Sequence, residues 1–128
     1  MGYSYLIVDT SATVRALIKR SIRQSEMGVE KLLEAATAHE AMDILRDHPI
    51  DLVLIDPRLP DMDGIEFIGR ILAEPDTRNI PVVVMATRPD PRKMEALRRR
   101  GVKGHIRKPF SPQTFRTVVQ QILEPTHV

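Results

Sequence analysis

Two runs, Leu52-Val-Leu-Ile55 and Val82-Val-Val-Met85, lack the polar residue at every second position that a strand with one wet face would carry. Strands this apolar need cover on both faces, and a parallel sheet with helices on either side provides it. Three further runs of strand length, Tyr5–Val8, Leu32–Ala36 and one around Ile106, alternate with segments of helical period, so the pattern is βα repeated five times. Val14, Leu17, Ile18 and Ile22 share one helical face, as do Ala41, Ile44 and Leu45, then Ile65, Ile68, Ile71 and Leu72, and last Phe115, Val118, Val119, Ile122 and Leu123. The spacing predicts a doubly wound α/β domain with a five-stranded parallel sheet.

Boundary residues agree with this parsing. Ser11 suits the cap of the first helix, and Ser111-Pro112 is a cap followed by Pro at the first helical position. Pro75, Pro81, Pro89 and Pro91 punctuate the middle of the chain. At 128 residues the chain is expected to bury one core, over residues 1–124, with Glu124-Pro-Thr-His-Val128 as a frayed end and residues 125–128 as a tail. With no Trp, two Tyr and three Phe, that core must be aliphatic, which suits thin strands between helices.

Composition removes several functional classes. The chain has no Cys, which excludes disulfide frameworks, thiolate metal sites and cysteine nucleophiles. No apolar stretch reaches the roughly 18 residues of a membrane span, and the opening Met-Gly-Tyr-Ser-Tyr-Leu has neither a signal-peptide nor a myristoylation pattern. A cytoplasmic protein without a membrane partner is expected. The net charge of +2 is unevenly placed: from Arg88 to Lys108 nine Lys or Arg face only Asp90 and Glu95, a local +7 that leaves −5 elsewhere. That basic face is either a solvated helix surface or a docking surface for an acidic partner. Arg98-Arg99-Arg100 has no interleaved aromatics and no recognition motif, which argues against nucleic acid.

Three charged groups follow three of the apolar runs: Asp9 after Tyr5–Val8, Asp56 after Leu52–Ile55, and Lys108 after Gly104–Arg107. In open α/β sheets ligands bind beyond the carboxyl ends of the strands, so these groups, with Ala86-Thr87, are predicted to converge on one crevice. Two carboxylates and an ammonium suit a magnesium ion, which prefers one or two carboxylates plus waters and phosphate oxygens. Such a set would let a carboxylate attack a phosphoryl group, and Asp56 is the expected nucleophile. Each residue has a simpler reading: Asp56 as a turn residue before Pro57, Asp9 as an acceptor for nearby amides, Lys108 as an exposed lysine. Asp61-Met-Asp63-Gly64 resembles part of a calcium loop, but Gly64 at loop position six puts Leu59 and Arg70 where carboxylates are required, so a turn and helix cap is the better account. The histidines at 39, 48, 105 and 127 lack metal-ligand spacing.

Tyr5-Leu-Ile-Val-Asp9 with Ser11-Ala-Thr-Val-Arg15, Asp56 with Leu59-Pro60-Asp-Met-Asp-Gly64, Pro81-Val-Val-Val-Met85, and Gly101-Val-Lys-Gly104 with Lys108-Pro109-Phe110 occur together in one order and spacing. In this the chain resembles the CheY-like receiver domain of two-component response regulators, over nearly its whole length. The resemblance implies a flavodoxin-like receiver fold with five helices, and Asp56 accepting a phosphoryl group from a histidine kinase or phosphotransfer protein. It implies Lys108 on that group, through a cis Lys-Pro bond, and magnesium held by Asp9, Asp56 and the Arg58 backbone carbonyl. It also implies a switched face, formed by the fourth helix, fifth strand and fifth helix, that a downstream protein or output domain would read. Such a domain is a signalling module, not an enzyme, beyond self-catalysed phosphorylation and dephosphorylation.

The chain departs from that pattern at three positions. Thr10 stands where the family usually has a second acidic residue that contacts the metal directly; its hydroxyl would act through water, and magnesium should bind weakly. Ala86 stands where the family has a hydroxyl on the phosphoryl group, with Thr87 after it, so Thr87 reaches that group only if the backbone bends. His105 stands at the switch aromatic and is more polar and titratable. Thr10 and Ala86 are the support for an alternative, a receiver-like protein-binding module that works without phosphorylation. A small-molecule phosphotransfer enzyme is disfavoured, because no Gly-rich loop follows the first strand. Homodimerisation through the basic face requires acidic residues to intercalate, since a local +7 repels its own copy.

Overall fold

Side chains along each central strand alternate between two separate cores, as continuous apolar runs require. In the computed structural model, which describes residues 2–124, the elements are β1 (Tyr3–Val8), α1 (Ala12–Gln24), β2 (Val29–Ala35), α2 (Ala38–Asp47), β3 (Leu52–Ile55), α3 (Gly64–Ala73), β4 (Val82–Ala86), α4 (Pro91–Arg100), β5 (Gly104–Arg107) and α5 (Pro112–Leu123). The tail expected over residues 125–128, with His127, lies outside the described residues. On one face Leu6, Val8, Val53, Ile55, Val82 and Val84 pack with Ala41 and Leu45 of α2, Phe67, Ile68 and Ile71 of α3 and Leu97 of α4. On the other, Tyr5, Ile7, Leu52, Leu54, Val83 and Met85 pack with Ile18 and Ile22 of α1 and Phe115 and Val119 of α5. Fully burying each aliphatic side chain is worth about 1.5–3 kcal/mol, so the strand faces themselves enforce the layering.

All strands are parallel, in the order β2-β1-β3-β4-β5. The five-stranded doubly wound sheet read from the sequence is therefore present. The chain moves outward from β1 to β2 and then crosses to β3 on the other side of β1. This places the topological switch point between β1 and β3, whose carboxyl ends deliver Asp9 and Asp56.

Each helix begins on a side chain that accepts a backbone N–H of its first turn: Ser11, Thr37, Asp63, Asp90 and Ser111. Such caps contribute about 1 kcal/mol apiece and fix the junctions at the end of the sheet where the charged residues emerge.

Two details differ from the periodicity. β2 starts at Val29, earlier than the apolar run, because pairing of Tyr3 with Val29 extends the strand through Glu30 and Lys31. An edge strand tolerates such residues because one side meets water. Leu17 is 54% exposed although it lies on the predicted apolar stripe of α1. Ile18 and Ile22, four apart, take the buried line, and Leu17 falls at its rim.

Candidate functional site

Asp9, Asp56 and Lys108 are each nearly buried, at 4%, 4% and 8% exposure, and they touch. The Lys108 Nζ donates to Asp9 Oδ2 at 2.6 Å and to Asp56 Oδ2 at 2.5 Å. Their backbones are fixed by the sheet: Asp9 N–H donates to the Ala35 carbonyl, Asp56 N–H to that of Val8, and Lys108 N–H to that of Ala86. The bond between Lys108 and Pro109 is cis, as expected. Removing one partner from a buried charge cluster costs several kcal/mol, so the three residues enforce one another's placement.

The outer carboxylate oxygens are held by local amides. Asp9 Oδ1 accepts from Ser11 N–H at 2.9 Å, and Asp56 Oδ1 accepts from Arg58 N–H at 2.9 Å. The simpler reading of Asp9, as an acceptor for nearby amides, is thus correct for one oxygen, while the other faces Lys108 in the predicted crevice. Arg58 adds its guanidinium, with Nη2 3.4 Å from Asp56 Oδ2. The Thr10 hydroxyl donates to the Arg58 carbonyl at 3.1 Å, which ties the loop after β3 to the loop after β1. Burial raises the tendency of Asp56 to hold a proton, but hydrogen bonds from Lys108 and from the Arg58 amide and guanidinium outweigh it. The carboxyl is held below the usual aspartate range.

These groups open on a cavity of about 600 Å³ whose wall includes Asp9, Thr10, Asp56, Arg58, Thr87 and Lys108, and which continues past Val14, Leu17 and Ile18 of α1 to Pro109 and Phe110. Thr87 follows the last residue of β4 and is exposed on that wall; Ala86, the position before it, is not part of it. His105 is exposed on β5 and lies elsewhere, in a groove of about 320 Å³ with Met94, Leu97 and Arg98 of the basic helix α4. The predicted site residues therefore divide between a pocket and a separate surface.

The pocket's donors are all oxygens, two carboxylates and a carbonyl. They fit a hard cation such as magnesium that keeps several of its waters. Among the described residues no group of three or more His, Cys, Asp or Glu could hold a metal by itself, so such an ion would depend on this mixed set.

Several supporting contacts escaped the sequence. Arg15 donates to the Asp9 carbonyl at 2.5 Å and pairs with Glu34 at 3.0 Å, and the Ser21 hydroxyl holds the Phe110 carbonyl at 2.9 Å. Asp63 caps α3 as expected, but Asp61 reaches across to α2, where it accepts from the amides of Ala38 and His39 at 2.9 and 3.0 Å and from the His39 ring. Only the sequence nearness of Arg58 to Asp56 gave any hint of its side-chain contact.

Residues 5–120 match the family model of the response regulator receiver domain. The chain is 31% identical over 119 residues to the chemotaxis protein CheY1 of Helicobacter pylori, covering 92% of this chain and 94% of that one. Its fold is similar to that of a putative response regulator from Chloroflexus aurantiacus, with a TM-score of 0.85, 26% identity, and 96% and 98% of the two chains covered. It is also similar to the receiver domain of a sensor histidine kinase from Pseudomonas aeruginosa, at a TM-score of 0.80 and 21% identity over 94% and 97% of the chains; that structure has a magnesium ion coordinated in its active-site cleft.

Proposed function

The chain belongs to the response regulator receiver family of two-component signalling, and from that premise we propose that Asp56 accepts a phosphoryl group from the phosphohistidine of a kinase or phosphotransfer protein. The observation that carries this reading is the buried Asp9–Lys108–Asp56 cluster at the switch point of the sheet. Asp56 Oδ attacks phosphorus, the P–N bond breaks, and its electron pair returns to the donor imidazole. Lys108, already on Asp56, is placed to neutralise charge on the phosphoryl oxygens as it moves in. The low proton affinity of Asp56 keeps it an anion and a nucleophile at neutral pH. Thr87, on the cavity wall, is the residue we assign to contact the transferred group through its hydroxyl, in place of Ala86.

Receiver domains typically bind magnesium in this pocket. Here Asp9, Asp56 and the Arg58 carbonyl would hold it, with Thr10 acting through water, and it would supply further charge neutralisation when bound. With one carboxylate fewer than the family norm, binding should be weak. The chain acts as one domain over residues 1–124 and as a signalling module in the cytoplasm; catalysis extends at most to its own phosphorylation and dephosphorylation. No helix among the described residues is long and apolar enough to cross a membrane.

Phosphorylation adds roughly one to two negative charges to the pocket. The response is a population shift at Ala86 and His105 that alters the basic α4–β5–α5 face, where a downstream protein or output domain docks. Dimerisation through that face would need acidic residues of one copy to intercalate between the basic residues of the other.

The test is intact mass after incubation with acetyl phosphate and magnesium. Wild type should gain one phosphoryl group and Asp56→Asn none, and Thr10→Asp should reach the same extent at lower magnesium. No gain in wild type or in Thr10→Asp at millimolar magnesium removes the phosphoacceptor reading and leaves the phosphorylation-independent binding module.

A further inference from the structure

The charges around Asp56 already balance. Asp9 and Asp56 contribute two negative charges, and Lys108 and Arg58 two positive ones, all connected by direct contacts. Lys108 is buried and bonded to both carboxylates, so it cannot leave cheaply. Arg58 differs: its side chain is 74% exposed and, among the described residues, its one ion pair is with Asp56 Oδ2, at 3.4 Å, while its own carbonyl receives the Thr10 hydroxyl. One residue thus offers the pocket both a ligand, through its backbone, and a cation, through its side chain. A dication approaching Asp56 meets a neutral cluster whose exposed member is a guanidinium on one oxygen of that carboxylate.

We propose that the Arg58 guanidinium is the resting counter-ion of Asp56 and competes with magnesium for that carboxylate, so that weak metal binding comes from this side chain as well as from Thr10. The proposal rests on the magnesium-binding reading of the pocket. Because the guanidinium can swing into water, competition lowers affinity without blocking the site. Removing a unit charge a few ångströms away in a half-solvated site corresponds to roughly a tenfold change in binding.

The test is calorimetric titration of the whole protein with magnesium, in wild type, Arg58→Gln and Arg88→Gln. The last removes a charge from an exposed residue just past β4 that makes no ion pair with Asp56. Arg58→Gln should bind about tenfold more tightly and Arg88→Gln within about twofold of wild type. Equal affinity of wild type and Arg58→Gln overturns the proposal, as does an equal gain in both variants. A parallel titration with manganese, read as paramagnetic broadening of the amides beside Asp9 and Asp56, separates the two levels of failure. Broadening in wild type and Arg58→Gln at equal manganese sinks the competition alone; no broadening in either sinks the metal-binding reading together with it.

Discussion

Lys108 and Asp56 form a buried ion pair, 2.5 Å from Nζ to Oδ2, between the ends of β5 and β3, two strands separated in the sheet by β4. The pair spans 52 residues of sequence and ties the edge of the sheet to its centre. Replacing Lys108 by Met removes the one cation that Asp9 and Asp56 share and leaves Asp56 with the exposed Arg58 guanidinium. We expect a loss of about 3 kcal/mol in denaturant unfolding and an upward move of the Asp56 titration in carboxyl carbon NMR. An unmoved titration would show that Lys108 does not set the charge state of the nucleophile.

Acid should act on Asp61 in a defined window. Burial opposes its ionisation, but the amides of Ala38 and His39 and the His39 ring dominate and hold the carboxyl down at about 2. A depressed carboxylate stabilises the fold fully above the unfolded value near 3.9 and loses that contribution as pH falls toward the folded value. Asp61→Ala should cost about 1 kcal/mol at neutral pH, and its deficit against wild type should shrink between about pH 4 and pH 2 in chemical denaturation.

Gly64 opens α3 where an added Cβ would lie 1.9 Å from the Pro57 carbonyl oxygen. Backbone cannot yield that far without moving the loop that carries Arg58. Gly64→Ala should therefore destabilise by about 3 kcal/mol and shift the amide resonances of residues 57–63, read by thermal unfolding and NMR.

Tyr5 has its ring fully buried between Tyr3 and Phe115, and its hydroxyl has no hydrogen-bond partner among the described residues. Burial, with Tyr3 and acidic residues nearby, pushes the phenol well above its usual range. Tyr5→Phe keeps the packing and removes the unpaired group, so stability should rise by about 1 kcal/mol in a denaturant midpoint.

The alternation of apolar runs with helical stripes carried the fold, because burial on two faces leaves a parallel sheet few alternatives. The residues that follow strands carried the pocket: Asp9, Asp56 and Lys108 meet where strand-end logic put them. Side-chain reach was less legible. Arg58 turned back onto Asp56 and Asp61 crossed to another helix, both set by loop geometry that period and spacing do not encode, while Leu17 fell at the rim of the buried line of α1. Thr87 lines the cavity where the backbone bends just after β4, a bend that the order Ala86-Thr87 makes necessary but does not itself announce.

The most direct measurement is to treat the protein with acetyl phosphate and magnesium, reduce it with borohydride, and sequence its peptides by tandem mass spectrometry. An aspartyl phosphate is reduced to homoserine, which marks the acceptor. Homoserine at position 56, and at no other aspartate, is the predicted result. Its absence under conditions that label a competent receiver, or its appearance at Asp9 instead, would contradict the assignment of Asp56 as the phosphoacceptor.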